Sequence, residues 1–377
     1  MKATIIGGGI SGLTMALAFE KLGIDYLLYE KAPELNEVGA GIWVSTNAMQ
    51  VFGWLDIAEQ IKLKGLSLKR IEIVDNQFRV IQSTHQDIFK QKLGYSGTAI
   101  HRALLQKTLF EYIPSEKVFF DCEAENIVKD SNGKVLVKFK NGKQAISDFV
   151  VAADGIYSPV RNQLFAETKL RNSKQVCWRG ISQMDIPDSM GGISAECWGN
   201  QIRFGFSPIA KGQVYWFAVV NSNHVKENFG KQEIKEIFSA FNSLVGELID
   251  HTPKDAIIFR PLFDLKPIKQ WHKGNIILVG DAAHATTPNM GQGAAQGIED
   301  AYYLSQYLVR SSSVSEAFKR FEKNRRPKVN GVVNTSWTIG RLAHIKRGQK
   351  LRNFILSKTP VNTMEKRMMK LYSLKPL

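Results

Sequence analysis

The glycine run Gly7-Gly8-Gly9-Ile10-Ser11-Gly12 is the first stretch of this chain whose residue types and spacing can do chemistry. It follows the apolar run Ala3-Thr4-Ile5-Ile6 and opens a segment with helical apolar spacing at Leu13, Ala16 and Leu17. In such a strand–turn–helix, Gly7 permits the tight turn, Gly9 lets a pyrophosphate approach the backbone and Gly12 lets helix and strand pack closely. The helix start, with Ser11 in its first turn, presents free N–H groups and the positive end of its dipole to phosphate. Glu30 lies 18 residues beyond Gly12, just after Tyr26-Leu27-Leu28-Tyr29, where it can accept hydrogen bonds from a ribose diol. The spacing predicts a βαβ nucleotide-binding unit of about thirty residues. It does not by itself separate NAD from FAD.

A second constellation narrows the choice. Gly274-Asn275-Ile276-Ile277-Leu278-Val279-Gly280-Asp281 places an acid directly after a buried strand, the end of an open α/β sheet at which ligands bind. Asp281 there can hold a ribityl hydroxyl. Pro288-Asn289-Met290-Gly291-Gln292-Gly293 then leads into a long helix, whose N-terminus would face an electron-rich ring that becomes anionic on reduction. A third run, Ala153-Asp154-Gly155-Ile156-Tyr157-Ser158-Pro159-Val160-Arg161, follows another apolar strand.

GxGxxG, ADGxxSxVR and GDAAHxxxPxxGQGxxxGxxDA, in that order over roughly residues 1–330, resemble the motifs of the group A flavoprotein monooxygenases, the aromatic-hydroxylase superfamily. Gly39-Ala40-Gly41-Ile42, Asn47-Ala48 and Trp178-Arg179-Gly180 are similar to its salicylate hydroxylase-like branch, and the superfamily also holds tetracycline-modifying monooxygenases. The resemblance implies that Gly7, Gly9, Ser11, Gly12, Glu30, Lys31 and Gly41 hold the cofactor, with Arg102 reaching the FAD diphosphate. It implies that Asp154 and Gly155 serve FAD and the nicotinamide donor. Asp281 would bind the ribityl chain, and Gly291, Gln292 and Gly293 would turn backbone amides toward the flavin's pyrimidine edge. Pro288 would stand beside the reacting position of the flavin.

The implied activity is monooxygenation. NADPH or NADH would visit transiently, since the chain carries a single GxGxxG; after Gly291-Gln292-Gly293 the next glycine is Gly297, which fails the pattern. Reduced flavin would add O2 as a C4a-hydroperoxide and transfer one oxygen to an aromatic or polycyclic small molecule, the protein orienting the cofactor and excluding water. The expected substrate site lies between the flavin and an aromatic, strand-rich stretch at 175–220, with Phe204, Phe206 and Trp216 as lining residues and Arg179 and Arg203 as partners for an anionic group. Arg179 is also carried as a catalytic candidate beside Pro288. His284 reads as packing rather than as a base. No metal-spaced cluster is present, and the WxWxIP run expected of a flavin halogenase is missing. The alternative reading is a flavin-dependent reductase or dehydrogenase of the same fold.

These residues need elements to position them. The pattern predicts an α/β fold: a Rossmann-like FAD-binding domain assembled from 1–70, 98–170 and 270–325, an interleaved antiparallel-sheet substrate domain from 71–97 and 171–269, and a helical, basic C-terminal segment over 326–377. Residues 67–95 alternate as antiparallel strands, 118–152 read as a meander with turns at Asn132-Gly133 and Asn141-Gly142, 231–249 are helical and 293–309 form a long helix.

Composition agrees with a soluble globular protein at 44% apolar and 23% charged residues. The odd count of three cysteines, with no CxxC, excludes a disulfide frame and predicts reduced, structural thiols. No apolar run approaches the roughly 20 residues that span a bilayer, and no signal peptide is visible, so the expected location is the cytoplasm. The net charge of +15 is concentrated at one end: from Lys319 onward there are 16 Lys/Arg and two acids. Apolar spacing at Trp337, Ile339, Leu342, Ile345, Leu351, Phe354 and Ile355 favours packed helices with a basic face over a membrane-surface or nucleic-acid contact. Monomer and dimer are both compatible with this pattern.

Overall fold

The alternating apolar runs and helical spacing of the first thirty residues form a strand Lys2–Ile6, a helix Ile10–Leu22 and a strand Asp25–Tyr29, the two strands pairing in parallel. The structure is a computed structural model and describes residues 1–35, 40–129, 133–165, 168–225 and 229–375. Gly39 and Asn132 therefore lie outside the described residues.

Six strands make the nucleotide sheet, in the order His272–Lys273, Ile276–Leu278, Phe149–Ala152, Lys2–Ile6, Asp25–Tyr29 and Val118–Phe119. Lys2–Ile6 pairs in parallel with Asp25–Tyr29 on one side and Phe149–Ala152 on the other. The chain thus leaves this central strand in opposite directions, which opens a crevice at its carboxyl end. Gly7, Asp154 and Gly280 all emerge at that end. The strands Phe149–Ala152 and Ile276–Leu278 are buried throughout, as a parallel sheet covered on both faces requires.

The glycine turn is closed by contact rather than by choice of residue alone. Gly7 has a φ of +104°, and a Cβ on Gly12 would stand 1.9 Å from the carbonyl oxygen of Gly7. The late helix Gly293–Arg310 packs across the first helix at a second close approach, where a Cβ on Gly297 would lie 2.0 Å from Ser11 Oγ and 3.3 Å from the Cα of Gly280. Ser11 therefore sits between the loop after Leu278 and the helix that starts at Gly293.

A seven-stranded sheet forms the other half. Its order is Ile258–Leu265, Leu170–Ser182, Gln213–Asn221, Ile202–Ala210, Ile193–Trp198, Arg70–Val74 and Val80–His85, all pairs antiparallel except Ile193–Trp198 with Arg70–Val74. Its Phe204, Phe206, Trp178 and Trp216 join Ile234, Phe238, Leu244 and Leu248 of the helices Lys231–Ile237 and Ser243–Asp250 in a separate apolar core. The helical reading of 231–249 thus resolves into two helices broken around Phe241. The alternating stretch 67–95 is strand only to His85, with a helix over Asp87–Leu93. Ala124–Ser147 forms the three-stranded meander, while Val118–Phe119 and Phe149–Ala152 belong to the nucleotide sheet.

The helix Val314–Ala343 runs unbroken through residue 325, Pro327 included, followed by helices Gln349–Ser357 and Val361–Tyr372. Trp337 lies half-buried under the guanidinium of Arg171, 4.3 Å from the ring centre. Leu342, Leu351, Phe354 and Ile355, expected to pack inward, are exposed instead. No helix among the described residues is long and apolar enough to cross a membrane.

The close approach at the glycine turn has a measurable consequence. Gly12→Ala forces a methyl into backbone, and overpacking of this kind costs about 1–3 kcal/mol. Chemical denaturation should show that loss, and an unchanged midpoint would mean the turn can open without penalty.

Candidate cofactor and active site

The first helix begins at Gly9 with an extended N-cap, no side-chain cap and no acid in its first turn, so its leading N–H groups are open. A Cβ placed on Gly9 would meet nothing within 4 Å. That open space before an uncapped helix start is what a diphosphate requires. Glu30 is partly committed: Oε2 accepts from Gly8 N at 2.5 Å and Oε1 from Ala32 N at 2.9 Å. Each carboxylate oxygen keeps a second lone pair for a ribose hydroxyl. Lys31, next in sequence, is exposed.

Arg102 opens the helix Arg102–Phe110, exposed and without an ion-pair partner among the described residues. Its own N–H donates to Ala40 O at 2.8 Å, and Gln106 one turn later donates to Gly8 O at 2.8 Å. The helix carrying the free guanidinium is thereby fastened to the glycine turn.

At the other end, Asp281 starts a short helix, exposed, with its carboxylate bonded to none of the described residues. The loop around it is held firmly. Arg161, buried, donates to Ala282 O at 3.0 Å and to Ile156 O at 2.6 Å, linking it to the Asp154-Gly155 turn. Asp154 accepts from Val160 N at 3.2 Å through Oδ2, but Oδ1 is buried with no partner, and burial raises its carboxyl above the usual range. A buried acceptor left unpaired here fits a donor brought by a ligand. Pro288 is exposed at the start of the turn Pro288–Met290, and Gly291 adopts a left-handed conformation under Trp43. The helix Gly293–Arg310 then starts without a side-chain cap or an acid in its first turn. The Gln292 side chain turns inward, donating to Ser45 Oγ at 2.9 Å and accepting from Gln296 at 2.8 Å, so only the backbone of 291–293 is left to face the crevice.

Beneath both loops lies a buried ionic cluster that sequence reasoning missed. Asp300 accepts from Gly280 N at 2.9 Å, His284 Nε2 at 2.6 Å and Arg325 Nε at 2.9 Å. Arg325 also donates to Glu299 and to Gln296, and Lys328 donates to Glu299 at 2.8 Å. Asn47 donates to Glu299 at 2.5 Å and to Gln292 at 3.2 Å. Burial pushes Asp300 up, yet His284 and Arg325 outweigh it and hold the carboxyl at about 2. His284 is packed 5.0 Å from the Trp271 ring, as its reading as a packing residue had it. The available signal was Glu299-Asp300, two adjacent acids inside an otherwise apolar helix.

The large sheet requires corrections. Side chains alternate between faces, and Phe204, Phe206 and Trp216 point away from the cofactor half into the core beneath the helices at 231–250; Phe204 stacks on Trp216 at 5.5 Å. The opposite face carries Arg179, Tyr215 and Phe217, all half-buried, with Arg179 opposite Phe217 in register. Tyr215 lies against Gly41, where a Cβ would be 2.4 Å from it, so this is the face turned toward the cofactor half. Burial pushes the Tyr215 hydroxyl up to about 12 against the opposing pull of Arg179. Arg203 is also on this face but is fully buried, donating to His344 Nε2 at 2.8 Å, Glu196 at 2.7 Å and Asn289 Oδ1 at 2.7 Å. It clasps the sheet to the Pro288–Met290 turn and to the C-terminal segment, instead of presenting a free cation to substrate.

Comparison with known proteins agrees with this geometry. The sequence model of one family, described as FAD binding domain, matches residues 1–336. The chain is similar to the aurachin C monooxygenase/isomerase of Stigmatella aurantiaca, 33% identical over 341 residues that cover 90% of this chain and 88% of that protein. It is 28% identical over 347 residues to the 2-heptyl-3-hydroxy-4(1H)-quinolone synthase of Pseudomonas aeruginosa, covering 91% and 89%. The fold matches that of Klebsiella pneumoniae HpxO, crystallised with FAD and uric acid, at a TM-score of 0.91 and 24% identity, with 99% and 96% of the two chains covered.

Two outcomes follow from the geometry. Asp281→Ala removes a carboxylate with no other partner, so FAD retention should weaken by about 1–3 kcal/mol, measured by flavin titration; normal affinity would remove the role. His344 is the second case. Burial, then Arg203, hold its imidazole down to about 3. A histidine neutral in the fold but titrating near 6.5 when unfolded contributes its stability above pH 6.5 and loses it as pH falls toward about 3, by about 1.4 kcal/mol per pH unit. Between pH 6.5 and 4.5 the wild-type melting temperature should therefore fall relative to His344→Gln, whose amide keeps an acceptor and a donor. Parallel profiles would show that His344 does not govern this window.

Proposed function

This chain belongs to the FAD binding domain family and is an FAD-dependent monooxygenase of the group A, aromatic-hydroxylase kind; from that premise we propose that it takes electrons from NADPH or NADH and inserts one oxygen atom of O2 into an electron-rich aromatic or fused heteroaromatic ring. The observation that carries the reading is the meeting of two distant stretches at Ser11, where the loop of Asp281 and the helix of Gly293 close on the glycine turn. Opposite ends of one dinucleotide then have partners: the start of the first helix and Arg102 for the diphosphate, Asp281 for the polyol chain, and the backbone of Gly291, Gln292 and Gly293 for the ring.

Bound FAD supplies hydride acceptance and oxygen activation. The residues of this chain orient and enclose. The uncapped start of Gly293–Arg310 favours negative charge on the ring side that faces it. Pro288 forms the exposed edge of that turn, held by Arg203 through Asn289. Arg179, Tyr215 and Phe217 form the facing wall, with aromatic surface for a flat ring and a guanidinium for a ring-borne oxygen. Tyr215 stays protonated at neutral pH and serves as a hydrogen-bond donor, not as a base. A quinolone ring, of the kind named for the Pseudomonas relative, has the flatness and the oxygen substituent that suit this wall.

The test is turnover of NADPH and NADH against phenols, hydroxybenzoates, quinolones and tetracyclines, followed by mass spectrometry of the product formed under ¹⁸O2. The expected outcome is one labelled oxygen atom in a stimulating substrate, with quinolones the strongest class. Product formed without label would instead make the protein a reductase or dehydrogenase.

A further inference from the structure

The helix Gln349–Ser357 is built inside out. Leu351, Phe354 and Ile355, spaced to share one helical face, are 64%, 59% and 57% exposed, whereas Arg352 is buried. Arg352 points inward, donating to Ala343 O at 2.9 Å and lying 5.1 Å over the Trp198 ring. Leu342 and Val361, on either side of this helix in the chain, are exposed as well. The cations Lys346, Arg347, Lys350 and Lys358 are exposed in the same segment, and none makes an ion pair with a described residue.

We propose that this C-terminal face docks on the surface of a lipid bilayer carrying anionic headgroups, with Leu351, Phe354 and Ile355 entering the acyl boundary and the surrounding cations meeting the headgroups. An interfacial helix needs this combination of an outward apolar face and a basic rim, without the length to span. A second copy of the chain is disfavoured as occupant, because a symmetric contact would press two strongly cationic faces together. Nucleic acid would match the charge but leaves three outward aliphatic and aromatic side chains unexplained.

The segment is bolted to the enzyme rather than tethered. Gln349 donates to Asn200 Oδ1 at 2.7 Å, and Tyr372 of the next helix is buried against Phe89 and Trp43, at ring separations of 5.0 and 6.4 Å. Docking would therefore orient the whole molecule on the leaflet.

The test uses the full flavin-loaded chain in flotation with vesicles of phosphatidylcholine, with and without phosphatidylglycerol. Wild type should float with the anionic vesicles at low salt and lose at least about tenfold in bound fraction on pure phosphatidylcholine or at high salt. The combined variant Leu351→Ser, Phe354→Ser, Ile355→Ser should lose flotation while keeping its melting temperature and flavin content. Lys350→Glu with Lys358→Glu should weaken it independently, which keeps the test decisive if the serine variant fails to fold. The proposal is overturned if wild type stays unbound to anionic vesicles, if the charge-reversed variant floats as wild type does, or if random duplex DNA is bound more tightly than the vesicles. It also fails if the serine changes only convert a dimer to a monomer.

Discussion

Everything at the flavin end of the crevice hangs on charges taken out of water. Asp300 and Glu299 are fully buried, and each is held by cations from the helix Val314–Ala343. A buried ion pair is not in itself a source of stability, because desolvation offsets most of the attraction. What it does impose is a single arrangement. Rotating or sliding the late helix against Val314–Ala343 would strand two carboxylates without partners, a change that typically costs about 3–5 kcal/mol. Asp300 passes that constraint to Gly280 N, and Glu299 passes it through Asn47 to Gln292. The residues at the rim, Asp281 and the backbone of 291–293, can then stay exposed and unpaired without losing their positions.

The same logic explains which parts of the molecule could be read in the sequence. The glycine turn was legible because its constraints are local: Gly12 meets Gly7 five residues away, and Gly7 has a positive φ. The strand before Asp281 was legible from its apolar run. The cluster was not, because Arg325 becomes informative only once Val314–Ala343 is seen to lie across the late helix. A lone arginine in a basic tail carries no such mark.

The substrate wall was misread for a different reason. Arg203-Phe204-Gly205-Phe206 and Tyr215-Trp216-Phe217 are apolar or aromatic on both faces of their strands, so period two gives two sets of residues without saying which faces the cofactor. Only the contact of Tyr215 with Gly41, and of Arg203 with Asn289, decides it in favour of Arg179, Tyr215 and Phe217. A similar ambiguity governs the tail. Helical spacing shows that Leu351, Phe354 and Ile355 share a face, but not what covers it.

Arg203 ties these observations into one mechanical argument. Its guanidinium joins the substrate sheet, through Glu196, to the Pro288–Met290 turn, through Asn289, and to the C-terminal segment, through His344. Fully buried, it would leave its donors unmatched if any of the three bodies moved alone, so the sheet cannot shift over the turn without displacing the tail. His344 completes the joint only as a neutral acceptor, and the neighbouring cations Arg203 and Arg352 keep it so. The basic end of the chain is thus part of the frame that sets the distance between the substrate wall and the ring edge, and a force applied at its outer face would be felt at Pro288.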